Sequence, residues 1–197
     1  MPTLYDPRAH GALCGECPLF GKKVVAPDGD GPVVIIGDSP SKQDEDSGRI
    51  FSGATGMKLN ELLRRAGLPP RGELRLTNTI LCRPEIPGEY GRKRFDVKQY
   101  MAWLRKQNVM RKKEKQPLMK TPFECCAPRL RAELRRAEFL AREAHRRDPS
   151  QFPNGSVVMP TGNFALAELM AITKHTMKVM KYRGSVMEPG RDYTQEG

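Results

Sequence analysis

Four of the five cysteines have spacings that suit metal chemistry. Cys14 and Cys17 stand in "CGECPL", close enough to share one centre, while Cys82 in "LCRP" and Cys126 in "ECCAPRL" supply third and fourth thiols from distant segments. A four-thiolate set suits zinc or an iron–sulfur cluster. With one local CxxC pair and two single residues, chemistry alone leaves cluster, zinc and plain buried thiols open. Cys125 reads as the spare, a small apolar side chain at a helix start.

The second constellation is "GDSPSKQDEDSGRIFSG" at 37–53. It gathers Asp38, Asp44, Glu45 and Asp46 within nine residues of a chain whose formal net charge is +11, then sets Phe51 among small neighbours. Carboxylates at a strand end can orient or deprotonate water and stabilise a developing cation. Backbone N–H groups from Gly37 through Ser39 to Ser41 can bind anionic oxygen. Plainer readings stand beside these: residues 44–46 as helix N-terminal acids or a solvated turn, Phe51 as core, and Asn78 as a turn-former at a strand end.

The elements that must position these residues follow from the apolar pattern. "VVII" at 33–36 is β-branched and wholly apolar, as in a strand buried on both faces of a parallel sheet, and it delivers Asp38 to the rim. "MKLNELLRRA" at 57–66 has helical spacing and a Gly67 stop, and "LRLTNTILC" at 74–82 reads as a second strand with Asn78 and Cys82 at or after its end. An amphipathic helix is expected over 129–147, a third buried strand over 156–162 and a helix from Asn163 to about Ile172. This alternation predicts an α/β fold of the doubly wound kind, with its ligand site at the C-terminal strand ends.

At 197 residues one domain is expected over 1–197, with residues 1–32 as an irregular cysteine-bearing cap. Residues 88–120 form a basic insert: eleven Lys or Arg against three acids leave +8 of the +11 there. Within it "FDVKQYMAWLRKQNVM" is helical in spacing, with Phe95, Met101 and Trp103 available for docking. Such a charge favours a polyanionic partner, so Arg92, Lys93, Arg94, Arg111, Lys112 and Lys113 are the candidate phosphate contacts. No membrane-spanning run or signal pattern is visible, and an intracellular setting is expected, in which the cysteines stay reduced.

Taken together, "CGECPL", "VVIIGDSP" with "DED" and "GRIFSG", "TNTILCRP", "CAPRL" and "RG" at Arg183-Gly184 resemble the iron–sulfur uracil-DNA glycosylases of family 4, in order over residues 14–184. The resemblance implies a three-layer α/β/α sandwich with a short central parallel sheet, and a structural [4Fe–4S] cluster on Cys14, Cys17, Cys82 and Cys126. It implies Asp38 and Asp44 as the catalytic acids, Phe51 as the plate for a flipped base, Asn78 as the reader of the uracil edge, and Gly37 and Ser39 as further substrate contacts. The implied partner is uracil-containing DNA, single- or double-stranded.

This sequence departs from the family pattern in several ways. Asp38 and Asp44 are one methylene shorter than the family's Glu, and Ser41 replaces a Gly. The later His-Pro-Ser motif has no counterpart, since His10, His145 and His175 are not followed by Pro. The expectation is therefore either a C-terminal strand missing from this sequence or a fold retained without catalysis. The second case would make an accessory DNA-binding module working with another replication or repair protein.

Overall fold

The computed structural model describes residues 5–88 and 97–170. Three parallel strands, β1 (Val33–Gly37), β2 (Arg75–Asn78) and β3 (Val157–Pro160), form a sheet in the order β2-β1-β3. The helices are α1 (Lys42–Ser47), α2 (Ala54–Arg65), α3 (Val97–Lys113), α4 (Pro122–Arg147) and α5 (Asn163–Leu169). Val34 and Ile36 point to one face of the sheet, against Leu130, Leu134 and Ala137 of α4 and Ala165 and Leu169 of α5. Ile35 points to the other, against Val25, Ile50, Leu63, Leu74 and Leu76. A two-residue side-chain period buried on both sides thus produces three layers, as expected for an α/β/α fold.

A third apolar cluster lies beyond the strand ends. It joins Val97, Tyr100, Met101 and Leu104 of α3 to Leu19, Ile80, Phe123, Cys126 and Phe164. Met101 and the half-buried Trp103 dock the basic insert as its spacing predicts; Phe95, Arg92, Lys93 and Arg94 lie outside the described residues, as do His175, Arg183 and Gly184.

Several elements differ from the sequence expectation. The strand expected over 74–82 runs only over Arg75–Asn78, and Thr79 closes it by giving both its N–H (2.8 Å) and its hydroxyl (3.0 Å) to the Gly37 carbonyl. Cys82 instead makes an isolated antiparallel bridge to Val24. α4 begins seven residues before 129, where Thr121 and Glu124 form a reciprocal capping box, so Cys126 sits on the helix itself. β3 is not fully buried: Val157 and Met159 are exposed, since among the described residues β3 pairs only with β1. No helix among the described residues is long and apolar enough to cross a membrane.

Candidate active site

Parallel pairing sets Gly37 directly opposite Asn78 at the C-terminal ends of β1 and β2. The two residues meet so closely that a methyl group on Gly37 would overlap the Asn78 side-chain oxygen and press on the Phe51 ring at 3.1 Å. The missing side chain is therefore what lets the ring and the amide converge on the same strand end. Asn78 is only 2% exposed, and Ser39 follows half-buried on the rim.

Phe51 is held in an unusual way. Its backbone is left-handed, with φ 50°, a conformation that costs a non-glycine residue about 1–3 kcal/mol and persists only where its surroundings impose it. The constraints are visible on every side. Ile50 is buried in the core. Arg71 donates to the Ile50 carbonyl at 2.7 Å and the Phe51 carbonyl at 3.5 Å, while its guanidinium also pairs with Asp28 at 3.0 Å. Ser52 gives its N–H (2.7 Å) and its hydroxyl (2.9 Å) to one oxygen of Asp44.

The other Asp44 oxygen accepts from the N–H and the hydroxyl of Ser41, both at 2.8 Å, closing the capping box that starts α1. Four donors occupy this buried carboxylate, so Asp44 clamps the start of α1 to the Phe51 turn and is not poised to activate water. Its acidic neighbours are structural too. Glu45 pairs with Arg83 at 3.5 Å, and Asp46 pairs with Lys42. The Ser41 N–H, committed to Asp44, is not available to an anion.

Asp38 is placed differently. Its Oδ1 accepts the Ala165 N–H at 2.9 Å at the start of α5, and its carboxylate lies so close to Gly162 that any side chain there would displace it. Burial pushes the Asp38 carboxyl above its ordinary range, against the opposing pull of the Ala165, Phe164 and Asn163 N–H groups. Of the two expected catalytic acids, Asp38 is the one held by the start of α5 with its carboxyl raised by burial.

The cysteines form a second centre. Cys14, Cys17, Cys82, Cys125 and Cys126 all line one cavity of about 540 Å³, which Asp38, Phe51 and Asn78 do not border. Cys126 lies within electrostatic reach of Cys14, Cys17 and Cys82. Burial raises the thiols of Cys14, Cys17 and Cys125, and pushes that of Cys82 up to about 12. Among the described residues no group of three or more His, Cys, Asp or Glu could hold a single metal ion.

Residues that sequence reasoning missed join the two centres. Arg129 is 0% exposed, and its guanidinium reaches Thr77 Oγ1 (3.0 Å), the carbonyls of Asn78 and Thr79 (both 2.8 Å) and Glu133 Oε1 (2.9 Å). Glu133 also accepts from Arg75 at 3.2 Å and from the Tyr5 hydroxyl at 3.1 Å. Although burial opposes it, Arg129 and Arg75 hold the Glu133 carboxyl below the usual range. The signal available was the i,i+4 pair Arg129 and Glu133 on a face otherwise apolar.

The described part of the basic insert packs on the cysteine side. Residues 118–120 face Gly15–Pro18, with Lys120 paired to Glu16 at 2.6 Å. At the end of α3, Arg111 donates to the Pro117 carbonyl, whereas Lys112 and Lys113 are exposed.

Against known proteins, the sequence matches the model of the Uracil DNA glycosylase superfamily over residues 25–185. It is 39% identical over 75 residues to a Type-4 uracil-DNA glycosylase of Pyrobaculum aerophilum, a stretch covering 36% of this chain and 38% of that protein. A Type-4 uracil-DNA glycosylase of Thermotoga maritima is 37% identical over the same shares, and one of Sulfurisphaera tokodaii is 28% identical over 88 residues, 43% of this chain and 40% of that protein. The chain thus spans about two fifths of the length of the curated relatives it matches.

Proposed function

The chain belongs to the uracil DNA glycosylase superfamily, and from that premise we propose that it binds DNA, takes a uracil out of the base stack and hydrolyses its N-glycosidic bond. The observation that carries this reading is the convergence of the Phe51 ring and the Asn78 amide on Gly37. An extruded base needs a flat surface to replace its stacking neighbours and a polar edge to identify it. An amide presents a donor and an acceptor side by side, the complement of the N3–H and carbonyl edge of uracil. Cytosine offers the reverse order and is mismatched by an amide held in the orientation that reads uracil.

Asp38 supplies the base. As water oxygen bonds to C1′, the water proton passes to the Asp38 carboxylate, and the electron pair of the C1′–N1 bond leaves on uracil. The same carboxylate stabilises the positive charge that develops on the sugar. Asp44 contributes by position, holding the Phe51 turn.

The cysteine cavity fits an iron–sulfur cluster better than zinc. A single zinc draws its thiolates to about 2.3 Å and leaves no room between them, whereas this cavity exceeds by far the roughly 30 Å³ of one water molecule. Cys14, Cys17, Cys82 and Cys126 would hold the cluster. Bound there, it would tie the cap, the segment after β2 and α4 together, and the hydrolysis itself needs no electron transfer.

Lys112 and Lys113 are the described candidates for phosphate contact. The test is incubation of the brown protein with deoxyuridine-containing single- and double-stranded oligonucleotides. Free uracil and an alkali-labile abasic site are expected. The full occupation of Asp44 favours a second reading, a DNA-binding accessory module without catalysis. Uracil-selective binding without release would decide for that module, and neither binding nor release would dismiss both readings.

A further inference from the structure

Arg129 lies one helical turn after Cys126 on α4, and its fork grips the last residues of β2 through three separate oxygens. Two of these are the carbonyls of Asn78 and Thr79, which belong to the two successive peptides that follow Asn78. The chain reaches the cysteine cavity at the next residue, with Ile80, Leu81 and Cys82 all lining it. A single buried side chain therefore bridges the helix that carries two of the cavity cysteines and the strand end that carries the amide.

Two features are unusual for a merely structural arginine. Among the described residues, its Nε is the one buried side-chain nitrogen or oxygen without a hydrogen-bond partner. Leaving a charged donor unsatisfied in the interior is costly. The group of buried Arg129 and Glu133 with half-buried Arg75 also carries two positive charges against one negative. Its surplus charge lies within electrostatic reach of Cys14 and Cys82.

We propose that Arg129 is a positioning residue that couples the cysteine cavity to the base-reading pocket, by fixing the β2 terminus that carries Asn78 and by setting a buried positive charge beside the cavity. The inference rests on the proposed uracil-reading function and on a cluster in the cavity. Geometry and charge are separable. Lys keeps the charge but cannot grip three oxygens, whereas Met removes both.

The experiment uses the cluster-loaded protein and an oligonucleotide carrying 2′-fluoro-2′-deoxyuridine, whose glycosidic bond resists hydrolysis, beside its thymine counterpart. In Arg129→Lys the binding preference for the uracil probe is expected to fall about tenfold, the scale of one well-directed hydrogen bond, with cluster absorption and midpoint potential retained. Arg129→Met is expected to move the potential to more negative values as well, because a nearby cation no longer favours the reduced cluster.

Unchanged preference in Arg129→Lys overturns the proposal. So does a parallel loss of colour, preference and melting temperature, which would make Arg129 a stabilising residue only. If neither Arg129 variant can be purified folded, Thr77→Val, which removes one partner of the fork at nearly constant volume, decides instead. A severalfold loss of preference at unchanged potential supports the coupling, and wild-type preference rejects it. A wild-type protein with no uracil preference or no cluster defeats the functional reading itself, and the coupling falls with it.

Discussion

Asp38 and Asp44 stand six residues apart and carry the same side chain, yet their surroundings give them different work. Four donors saturate Asp44, whereas Asp38 accepts from the start of α5 and is pushed up in pKa chiefly by burial. A general base must be ionised, so uracil release should fall as pH drops through the raised pKa of Asp38. The acid limb of kcat/KM is therefore expected above the ordinary aspartate value of about 3.9. The stability effect has the opposite sense. The unfolded carboxyl loses its proton first as pH rises, so Asp38 costs stability progressively from the unfolded value up to the folded one. Asp38→Asn keeps an acceptor for the Ala165 N–H without the buried charge. It should abolish release while holding or raising the melting temperature at pH 7, and a lower melting temperature with residual activity would remove Asp38 from the role of base. The types of these residues were legible in the sequence. Which acid was taken up in a four-donor clamp was not, because that depends on Ser52 and Ala165, contributed by a later turn and by a helix 127 positions away.

At the scale of elements, α4 does the most to organise the molecule. Its amphipathic stripe from Leu130 onward was readable from helical spacing, whereas its seat on Val34 and Ile36 is a fact of the packing. Its true start was not anticipated. The Thr121 capping box carries the helix through Pro128 and brings Cys125, Cys126, Arg129 and Glu133 into its first three turns. Cys125 and Cys126 both line the cavity, but Cys126 interacts with Cys14, Cys17 and Cys82, while the buried Cys125 has Cys17 and Cys126 as its thiol neighbours. Cys126→Ala is accordingly expected to lose the visible cluster absorption and several degrees of melting temperature, whereas Cys125→Ala keeps both. Equal losses in the two variants would exchange or share the ligand role. β3 illustrates the opposite limit: its apolar residues read as a fully buried strand, yet exposure of Val157 and Met159 depends on what lies beside the sheet, which composition does not encode.

For the whole molecule, the net charge of +11 and its concentration in residues 88–120 argue for a polyanion as partner. If Lys112 and Lys113 touch phosphates, Lys112→Ala with Lys113→Ala should reduce the slope of log affinity against log salt by about 0.7 to 0.9 for each phosphate no longer neutralised, with little change in preference for uracil. A slope equal to that of the wild type would make this helix end a solvated or protein-facing surface. Sequence by itself determined the alternation of strands and helices, the three layers, the candidate cysteines and the gathering of Gly37, Phe51 and Asn78 as residues of interest. These follow from local apolar periodicity, backbone preference and motif order. Only the tertiary structure decided that Asp44 is a clamp, that all five cysteines face one cavity, and that Arg129 ties that cavity to Asn78. Each of these depends on hydrogen bonds or burial between segments up to about 110 residues apart, and such contacts exist only once the chain has packed.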